Sequence, residues 1–283
     1  MPTRVREYHR PKDWAAALKL LRAPHTAPLV LGPRPSDDPG AGAEAVVDLS
    51  TLKLDYVTQS DDGTLHLGAL TPLADLADLH FPASELLADA VHNTAHYGLR
   101  NVATVGGAIL SPDCPSEVLL ALLALDATVV IRGDKLREIS LTEFVAAYPT
   151  LGDGELISEL RIKPIDAGRV GAALERVART PRDEAIVAVA AIVALDGDGT
   201  IRLARVAISG ASPRPQRAFA AEKLIEGAPL SDESLKKTAN EALSLATPVG
   251  DYRGSARYRK EMAGVLTRRA LTNAIKPASS HPQ

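Results

Sequence analysis

Residues 100–110 read RNVATVGGAIL, in which two adjacent glycines follow a run of β-forming residues. Adjacent glycines can adopt positive φ and expose bare backbone amides, and successive amides form a concave nest that binds an anion. Thr104 lies just before Gly106 and Gly107 and offers a hydroxyl donor. A Gly-Gly pair also occurs where strands pack closely or form a β-bulge. The spacing matches neither GxGxxG nor GxxxxGK[ST], so an anion site and close packing both stay open.

The composition is that of a soluble globular protein without nucleic-acid character. The chain has 283 residues, of which 46% are hydrophobic and 24% charged, and its formal net charge is -3. Its arginines are scattered, and it has only three Phe, one Trp and six Tyr. It therefore lacks the basic patch and the aromatic platform of a nucleic-acid-binding surface. No apolar run approaches ~18 residues, which argues against a membrane span.

The first residues and the cysteine usage predict a cytoplasmic protein. The stretch MPTRVREYHRPKDW (1–14) has no apolar core after its charges, unlike a signal peptide. Cys114 is the single cysteine. The chain therefore cannot form an internal disulfide, and by itself it cannot hold an iron–sulfur cluster or a Cys-type zinc ion.

Apolar periodicity predicts helices and strands in both halves of the chain, with a change of pattern near residue 165. The stretch PKDWAAALKLLRA (11–23) has a helical rhythm, and DDG (61–63) marks the turn of a hairpin. The stretch PASELLADAVHNTAHYG (82–98) predicts one helix that ends at Gly98 as its C-cap. Beyond residue 165, residues 183–211 form the clearest hairpin, two long apolar strands joined by DGDG, and helical patterns follow it.

Several stretches, in order, resemble one known family. LRNVATVGGAI (99–109) is followed by Glu117, ten positions after Gly107, and by LLALLALDATVVIRG (119–133). Together with the flanking stretches, the chain resembles the FAD-binding medium subunit of molybdenum hydroxylases, the group that includes carbon monoxide dehydrogenase and xanthine dehydrogenase. The other matching stretches are REYHRPKDWAAALKLL (6–21), VVDLSTL (46–52), LHLGALTPLADL (65–76), ELISELRI (155–162) and DYRGSARYRKEMAGVLTRRAL (251–271).

The resemblance implies an α+β fold with two domains. Residues 1–165 are expected to form a two-part FAD-binding domain of the PCMH-like type, with subdomains of about 1–55 and 56–165. Residues 166–275 are expected to form a C-terminal domain that combines an antiparallel sheet with helices. The last residues, 276–283, read as a flexible tail.

The resemblance also implies a function in electron transfer within a multi-subunit dehydrogenase. FAD in such a subunit receives electrons from two [2Fe-2S] clusters of a small partner subunit. That partner takes them from a molybdopterin centre in a large partner subunit, and the flavin passes them to an acceptor. By the same match, two glycine loops hold the diphosphate, one with Gly32 and the other with Thr104, Gly106 and Gly107. Glu117 accepts hydrogen bonds from ribityl or ribose hydroxyls, and Ile157 offers backbone groups to the flavin.

Four residues depart from the family pattern and are expected to weaken FAD binding. Pro33 and Pro35 stand in the first glycine loop, where proline has no N–H to donate. Ala108 replaces an Asn, and Glu175 stands where members often have Lys, so its carboxylate would repel phosphate. Arg34 and Arg179 could compensate, since guanidinium groups suit phosphate.

These departures leave two alternatives open. One is a flavin-free relative that keeps the fold as a scaffold or docking subunit, and the other is a chain that binds a different nucleotide or small molecule. Other candidate sites have simpler interpretations. His92 and His96 have a spacing that can hold a metal, but no third ligand is evident, and a capping or surface role near Gly98 is expected. Cys114 reads as a small apolar residue.

Overall fold

The computed structural model describes residues 5–30, 32, 43–94, 96–110, 116–148, 151–166, 168–181 and 183–276. They form two compact units. Unit 1 comprises the described parts of Met1–Leu76, Ala95–Pro112 and Asp126–Lys163, and unit 2 those of Ala77–Thr94, Asp113–Leu125 and Pro164–Gln283. The two units differ from a simple division of the chain near residue 165. The described parts of Ala77–Thr94 and Asp113–Leu125 group with the C-terminal residues.

The first part of unit 1 is a small parallel sheet with one helix. Strands β1 (Glu7–His9), β2 (Thr26–Pro28) and β3 (Ala45–Val47) pair in the order β1-β3-β2. Helix α1 (Trp14–Leu21) begins at Asp13, whose carboxylate accepts the Ala16 N–H at 2.9 Å, as an N-cap does. The predicted helix is thus confirmed. Its apolar face joins one cluster with the sheet: Ala17, Leu18, Leu21, Val47, Leu49 and Leu156.

The second part of unit 1 is a five-stranded antiparallel sheet. Its strands are β4 (Val57–Gln59), β5 (Leu65–Gly68), β6 (Thr128–Arg132), β7 (Leu136–Ser140) and β8 (Leu156–Ile162), in the order β4-β5-β8-β6-β7. The predicted hairpin is β4–β5, and Gly63 in its turn has φ 81°. Strand β7 was not predicted. Helix α6 (Leu141–Ala146) follows it directly, with Ser140 as its N-cap.

The prediction of one helix ending at Gly98 is wrong. Helix α2 (Glu85–Thr94) belongs to unit 2 and ends before His96, and a separate helix, α3 (Tyr97–Arg100), then begins in unit 1. The His96 ring accepts the Leu99 N–H and caps α3. Gly98 lies inside α3 without a positive φ, so it is not a left-handed C-cap.

Unit 2 is an antiparallel sheet with helices on both faces. The order of its strands is β12 (Gln216–Arg217), β11 (Ile201–Ser209), β10 (Val187–Leu195) and β9 (Arg169–Val177). Strands β10 and β11 are the predicted hairpin, whereas β9 and β12 were not predicted. Every residue of β10 is buried, because both faces of the strand are covered.

Among the described residues, four helices pack on this sheet, and a fifth packs on two of them. Helices α2 and α5 (Glu117–Ala124) pack together and contact the sheet, as does α9 (Ala256–Ala274), which packs on β9 and β10. Helix α7 (Phe219–Ile225) packs on β11, and α8 (Asp232–Leu245) packs between α7 and α9. Among the helices of the described residues, none combines the length and apolar character that crossing a bilayer requires.

Candidate functional site

The glycine pair lies in a short helix, where both glycine amides already have hydrogen-bond partners. Helix α4 (Val105–Ile109) begins at Thr104, whose hydroxyl accepts the Gly107 N–H at 3.1 Å. The Gly106 N–H donates to the Ala69 carbonyl at 2.8 Å. Neither glycine has a positive φ. Both amides therefore have partners within the chain, and they do not form the open concave surface that an anion nest requires.

Close packing explains the glycine at position 106. A Cβ on Gly106 would lie 2.8 Å from the Ala69 carbonyl oxygen and 3.2 Å from the Ala69 Cβ. A backbone oxygen cannot swing aside as a flexible side chain can, so only glycine allows α4 to approach the end of β5 this closely. Ala108, the departure from the family pattern in this helix, is 1% exposed and belongs to the core.

Unit 1 also holds Ile157 and Gly32. Ile157 is buried on β8, opposite Ile131 where the register shifts, and α4 packs against this strand. Thr104 and the glycine pair therefore lie beside the strand that carries Ile157. Gly32 is buried beyond the end of β2. The rest of its predicted loop, with Pro33, Arg34 and Pro35, lies outside the described residues.

Glu117 is the first residue of α5 and is buried in unit 2. Ser116 caps the helix, and the Glu117 side chain is only 8% exposed. Arg176 on β9 places its Nε 3.0 Å from Glu117 Oε1. Thr94, the last residue of α2, has its hydroxyl 3.4 Å from Glu117 Oε2 and accepts the Val118 N–H at 3.1 Å.

One oxygen of this carboxylate has no hydrogen-bond partner among the described residues. The Arg176 Nε and Glu117 Oε1 form an ion pair, but the N–H is not aligned with the oxygen, and within the described part of the chain neither atom has a hydrogen-bond partner. Burial raises the pKa of Glu117 above its ordinary value, and the Arg176 charge opposes that rise. Because a buried polar atom without a partner is costly, the Glu117 carboxylate is suited to accept a hydrogen bond from a ligand hydroxyl.

The repulsion expected from Glu175 is not supported by its position. Its carboxylate accepts a hydrogen bond from the Asn273 amide of α9 at 2.6 Å. Successive side chains of a strand point to opposite faces of the sheet, so Glu175 faces α9 whereas Arg176 faces α5. The group beside Glu117 is therefore the Arg176 guanidinium and not the Glu175 carboxylate. Arg179 is exposed, and its guanidinium is 3.3 Å from Asp183.

The remaining candidate residues have local partners or lie outside the described residues. The His92 ring is 2.6 Å from the Ala88 carbonyl, and His96 caps α3 as the sequence predicted. The described residues contain no group of three side chains that could hold a metal ion. Cys114 lies outside them.

Sequence reasoning missed Arg176 and Thr94, which complete the surroundings of Glu117. Strand β9 has no regular alternation of apolar and polar residues that would have predicted it. A strand pattern also does not tell which helix covers which face of a sheet.

The site fits the hydroxyl-rich part of FAD. Glu117 offers a buried carboxylate with an unpartnered oxygen, and ribityl and ribose hydroxyls are donors that such an acceptor pairs with. Gly106 leaves no space for a side chain where α4 meets the end of β5.

Comparison with known families assigns the chain. The model described as FAD binding domain in molybdopterin dehydrogenase matches residues 3–164, and the model described as CO dehydrogenase flavoprotein C-terminal domain matches residues 172–274. The chain belongs to the family of FAD-binding subunits of molybdopterin dehydrogenases. The resemblance seen in the sequence is thereby confirmed, as is the α+β fold with an FAD-binding domain followed by a C-terminal sheet-and-helix domain.

Members of this family match along most of the chain. The alpha subunit of the 6-hydroxypseudooxynicotine dehydrogenase complex of Paenarthrobacter nicotinovorans is 32% identical over 78% of this chain and 76% of its own length. The carbon monoxide dehydrogenase medium chain of Hydrogenophaga pseudoflava is 27% identical over 95% of this chain and 96% of its own. A solved structure of carbon monoxide dehydrogenase from that organism, which lacks the Mo-pyranopterin moiety of its cofactor, superposes with a TM-score of 0.88 at 28% identity. It covers 97% of this chain and 98% of the matched chain.

Proposed function

We propose that this chain is the flavoprotein subunit of a molybdenum hydroxylase-type oxidoreductase, and that it passes electrons from partner [2Fe-2S] clusters through FAD to an acceptor. The observation that carries the proposal is the match of both family domains, in order, along nearly the whole chain. The buried Glu117 carboxylate with an unpartnered oxygen supports it, because a carboxylate accepts hydrogen bonds and a flavin's sugar hydroxyls donate them.

The residues that the family match assigns are proposed to hold FAD. Glu117 would accept hydrogen bonds from the ribityl or ribose hydroxyls, and Ile157 would contribute backbone groups. The diphosphate contacts would come from the following residues: Gly32, Thr104, Gly106 and Gly107. For Gly106 and Gly107 this role rests on the family pattern, since their amides already have partners. When bound, FAD supplies one- and two-electron redox chemistry, and the protein supplies its position and electrostatic surroundings.

The same proposal includes two partner subunits. A small iron–sulfur subunit would deliver electrons, and a large molybdopterin subunit would oxidise the substrate. The relatives' names support a multi-subunit assembly, since they are medium chains or subunits of dehydrogenase complexes. The single cysteine agrees, because the cluster ligands must come from another chain. We place the complex in the cytoplasm, where thiols stay reduced.

An absorbance spectrum tests FAD binding directly. The purified full chain is scanned from about 300 to about 550 nm before and after incubation with FAD and desalting, and bound flavin gives bands near about 375 and about 450 nm. Retained bands that bleach on chemical reduction support the flavoprotein function. A colourless chain after both steps overturns it and leaves the flavin-free scaffold or docking subunit as the better account.

Two substitutions locate the bound flavin. Glu117→Gln keeps the side-chain shape but loses the charge, and we expect it to retain less FAD after desalting. Glu233→Gln is the matched control, because Glu233 is 77% exposed on α8 and the same chemical change there should leave FAD retention unchanged. Equal retention by both variants would mean that Glu117 does not contact the cofactor.

A further inference from the structure

Arg176 is held at a fixed position between Glu117 and a loop. Its side chain is 14% exposed. One terminal nitrogen donates to the Pro181 carbonyl at 2.9 Å and the other to the Asp183 carbonyl, both in the loop between β9 and β10. Its Nε faces Glu117 Oε1. Because a guanidinium group is planar and rigid, the two loop carbonyls fix where its third nitrogen stands.

Arg176 is also the charged side chain that acts on Glu117 within the described residues. Of the elements packed around α5, helix α2 presents the Thr94 hydroxyl, and β10 is apolar along its length. Arg205 on β11 and Arg217 on β12 bind carbonyl oxygens at the opposite end of α5. A buried carboxylate tends to take up a proton unless a cation lies beside it, so the ionisation of Glu117 depends on Arg176.

We propose that Arg176 is a positioning residue, which keeps Glu117 ionised and fixes the carboxylate in the place where it accepts a hydrogen bond from a ligand hydroxyl. The inference rests on the proposed FAD-binding function. In it, Arg176 does not touch the cofactor. It acts through Glu117, since an ionised carboxylate only accepts hydrogen bonds and accepts them more strongly than a neutral acid does.

A double-mutant cycle on the full chain tests the proposal. The dissociation constant of FAD is measured by flavin fluorescence for the wild type, Arg176→Met, Glu117→Gln and the double variant. We expect Arg176→Met to weaken FAD binding about tenfold, the difference between a charge-assisted and a neutral hydrogen bond. In the Glu117→Gln background the same change should have almost no further effect.

The cycle removes the structural contribution of Arg176. Arg176→Met also leaves the Pro181 and Asp183 carbonyls without their donor, but this loss occurs in both backgrounds and cancels in the coupling. Additive losses in the two backgrounds would overturn the proposal, because they would show that Arg176 acts on FAD binding without Glu117. Arg176→Lys keeps the cation and should restore part of the affinity that Arg176→Met loses.

The pH dependence gives a readout that a purely structural role does not move. FAD affinity should fall as pH decreases through the pKa of Glu117, since the ionised form is the better acceptor. Without the Arg176 cation that pKa rises further, so the fall in the Arg176→Met variant should begin at a higher pH than in the wild type. Identical pH profiles for the two proteins would contradict the proposal.

Unfolding without FAD separates the positioning role of Arg176 from the flavoprotein function. The same four proteins are unfolded in urea in the absence of flavin, and the coupling between positions 117 and 176 is measured again. If the wild type binds FAD but neither cycle shows coupling, the positioning role is wrong and the flavoprotein function stands. If the wild type binds no FAD, the flavoprotein function and the ligand-directed role both fail. A coupling in urea would then still establish that Arg176 stabilises the Glu117 carboxylate.

Discussion

The substitution Gly106→Ala tests whether the close approach of α4 to β5 is the reason for glycine at this position. The new Cβ would lie 2.8 Å from the Ala69 oxygen, which also accepts the Gly106 N–H. Relieving this contact requires a backbone shift, and such overpacking costs about 1–3 kcal/mol. Alanine is the better helix former by about 1 kcal/mol, which offsets part of the loss. We therefore expect a net decrease of up to about 2 kcal/mol in the free energy of unfolding.

Gly98→Ala is the matched control. Gly98 also lies in a short helix of unit 1, but its Cβ would meet nothing closer than 3.6 Å, the His96 ring. Only the difference in helix propensity should act there, so the free energy of unfolding should stay the same or increase by up to about 1 kcal/mol.

Urea unfolding, monitored by circular dichroism, compares the two variants with the wild type. If the free energy of unfolding has the same dependence on urea concentration in all three proteins, the shift of the midpoint concentration reports the change in stability. Thermal unfolding should agree, because each kcal/mol of lost stability lowers the melting temperature by about 2–4 °C. If Gly106→Ala is as stable as Gly98→Ala, the contact with Ala69 does not determine the residue at position 106, and close packing is not the reason for glycine there.

Three further substitutions test other parts of the structure. Arg259→Met should lower the free energy of unfolding by about 3–5 kcal/mol, because Arg259 is buried and binds Asp251 and three backbone carbonyls. Arg257→Met on the same helix is the control: its side chain is 88% exposed, and the free energy of unfolding should change by less than about 0.5 kcal/mol. Equal losses for the two variants in chemical denaturation would contradict the stabilising role of Arg259. Burial opposes ionisation of Glu159, but hydrogen bonds from Tyr56, Arg161 and His66 hold its pKa below the usual value. Its stabilisation is therefore present above about pH 4.5 and lost as pH falls through the lowered pKa. The melting temperature of Glu159→Gln should accordingly lie below that of the wild type at neutral pH and approach it in acid, whereas a constant gap would exclude this linkage. Glu175→Gln should leave the FAD dissociation constant unchanged, since Glu175 faces α9, and a clear gain in affinity would restore the idea that its charge repels the cofactor.

Much of the fold could be predicted because the signals are local. The β10–β11 hairpin follows from two long apolar strands around DGDG, and α1 follows from periodic apolar residues behind a capping side chain. Strands β7, β9 and β12 were missed because none is continuously apolar: β9 has no fully buried residue, and β12 has only two residues. Their pairing depends on neighbouring strands, not on their own composition.

The glycine stretch shows how a local pattern can mislead. Its β-forming residues suggested a strand that leads into an open loop, yet Thr104 caps a helical turn. The Thr104 hydroxyl and the Ala69 carbonyl take up the two glycine amides, and only the folded chain brings Ala69 to this place. Close packing, one of the two interpretations that the sequence left open, is present at Gly106.

The sequence by itself determined the family, the order of the domains and the type of cofactor, because the motifs that carry this information are continuous stretches in a fixed order. The tertiary structure alone decided which charges meet. Glu117 and Arg176 are far apart in the chain and face each other only because α5 packs on the sheet of unit 2. Glu175, one residue from Arg176, faces α9 because strand side chains alternate. A carboxylate can be recognised from the sequence, but its partner, its burial and therefore its protonation follow from packing between distant segments.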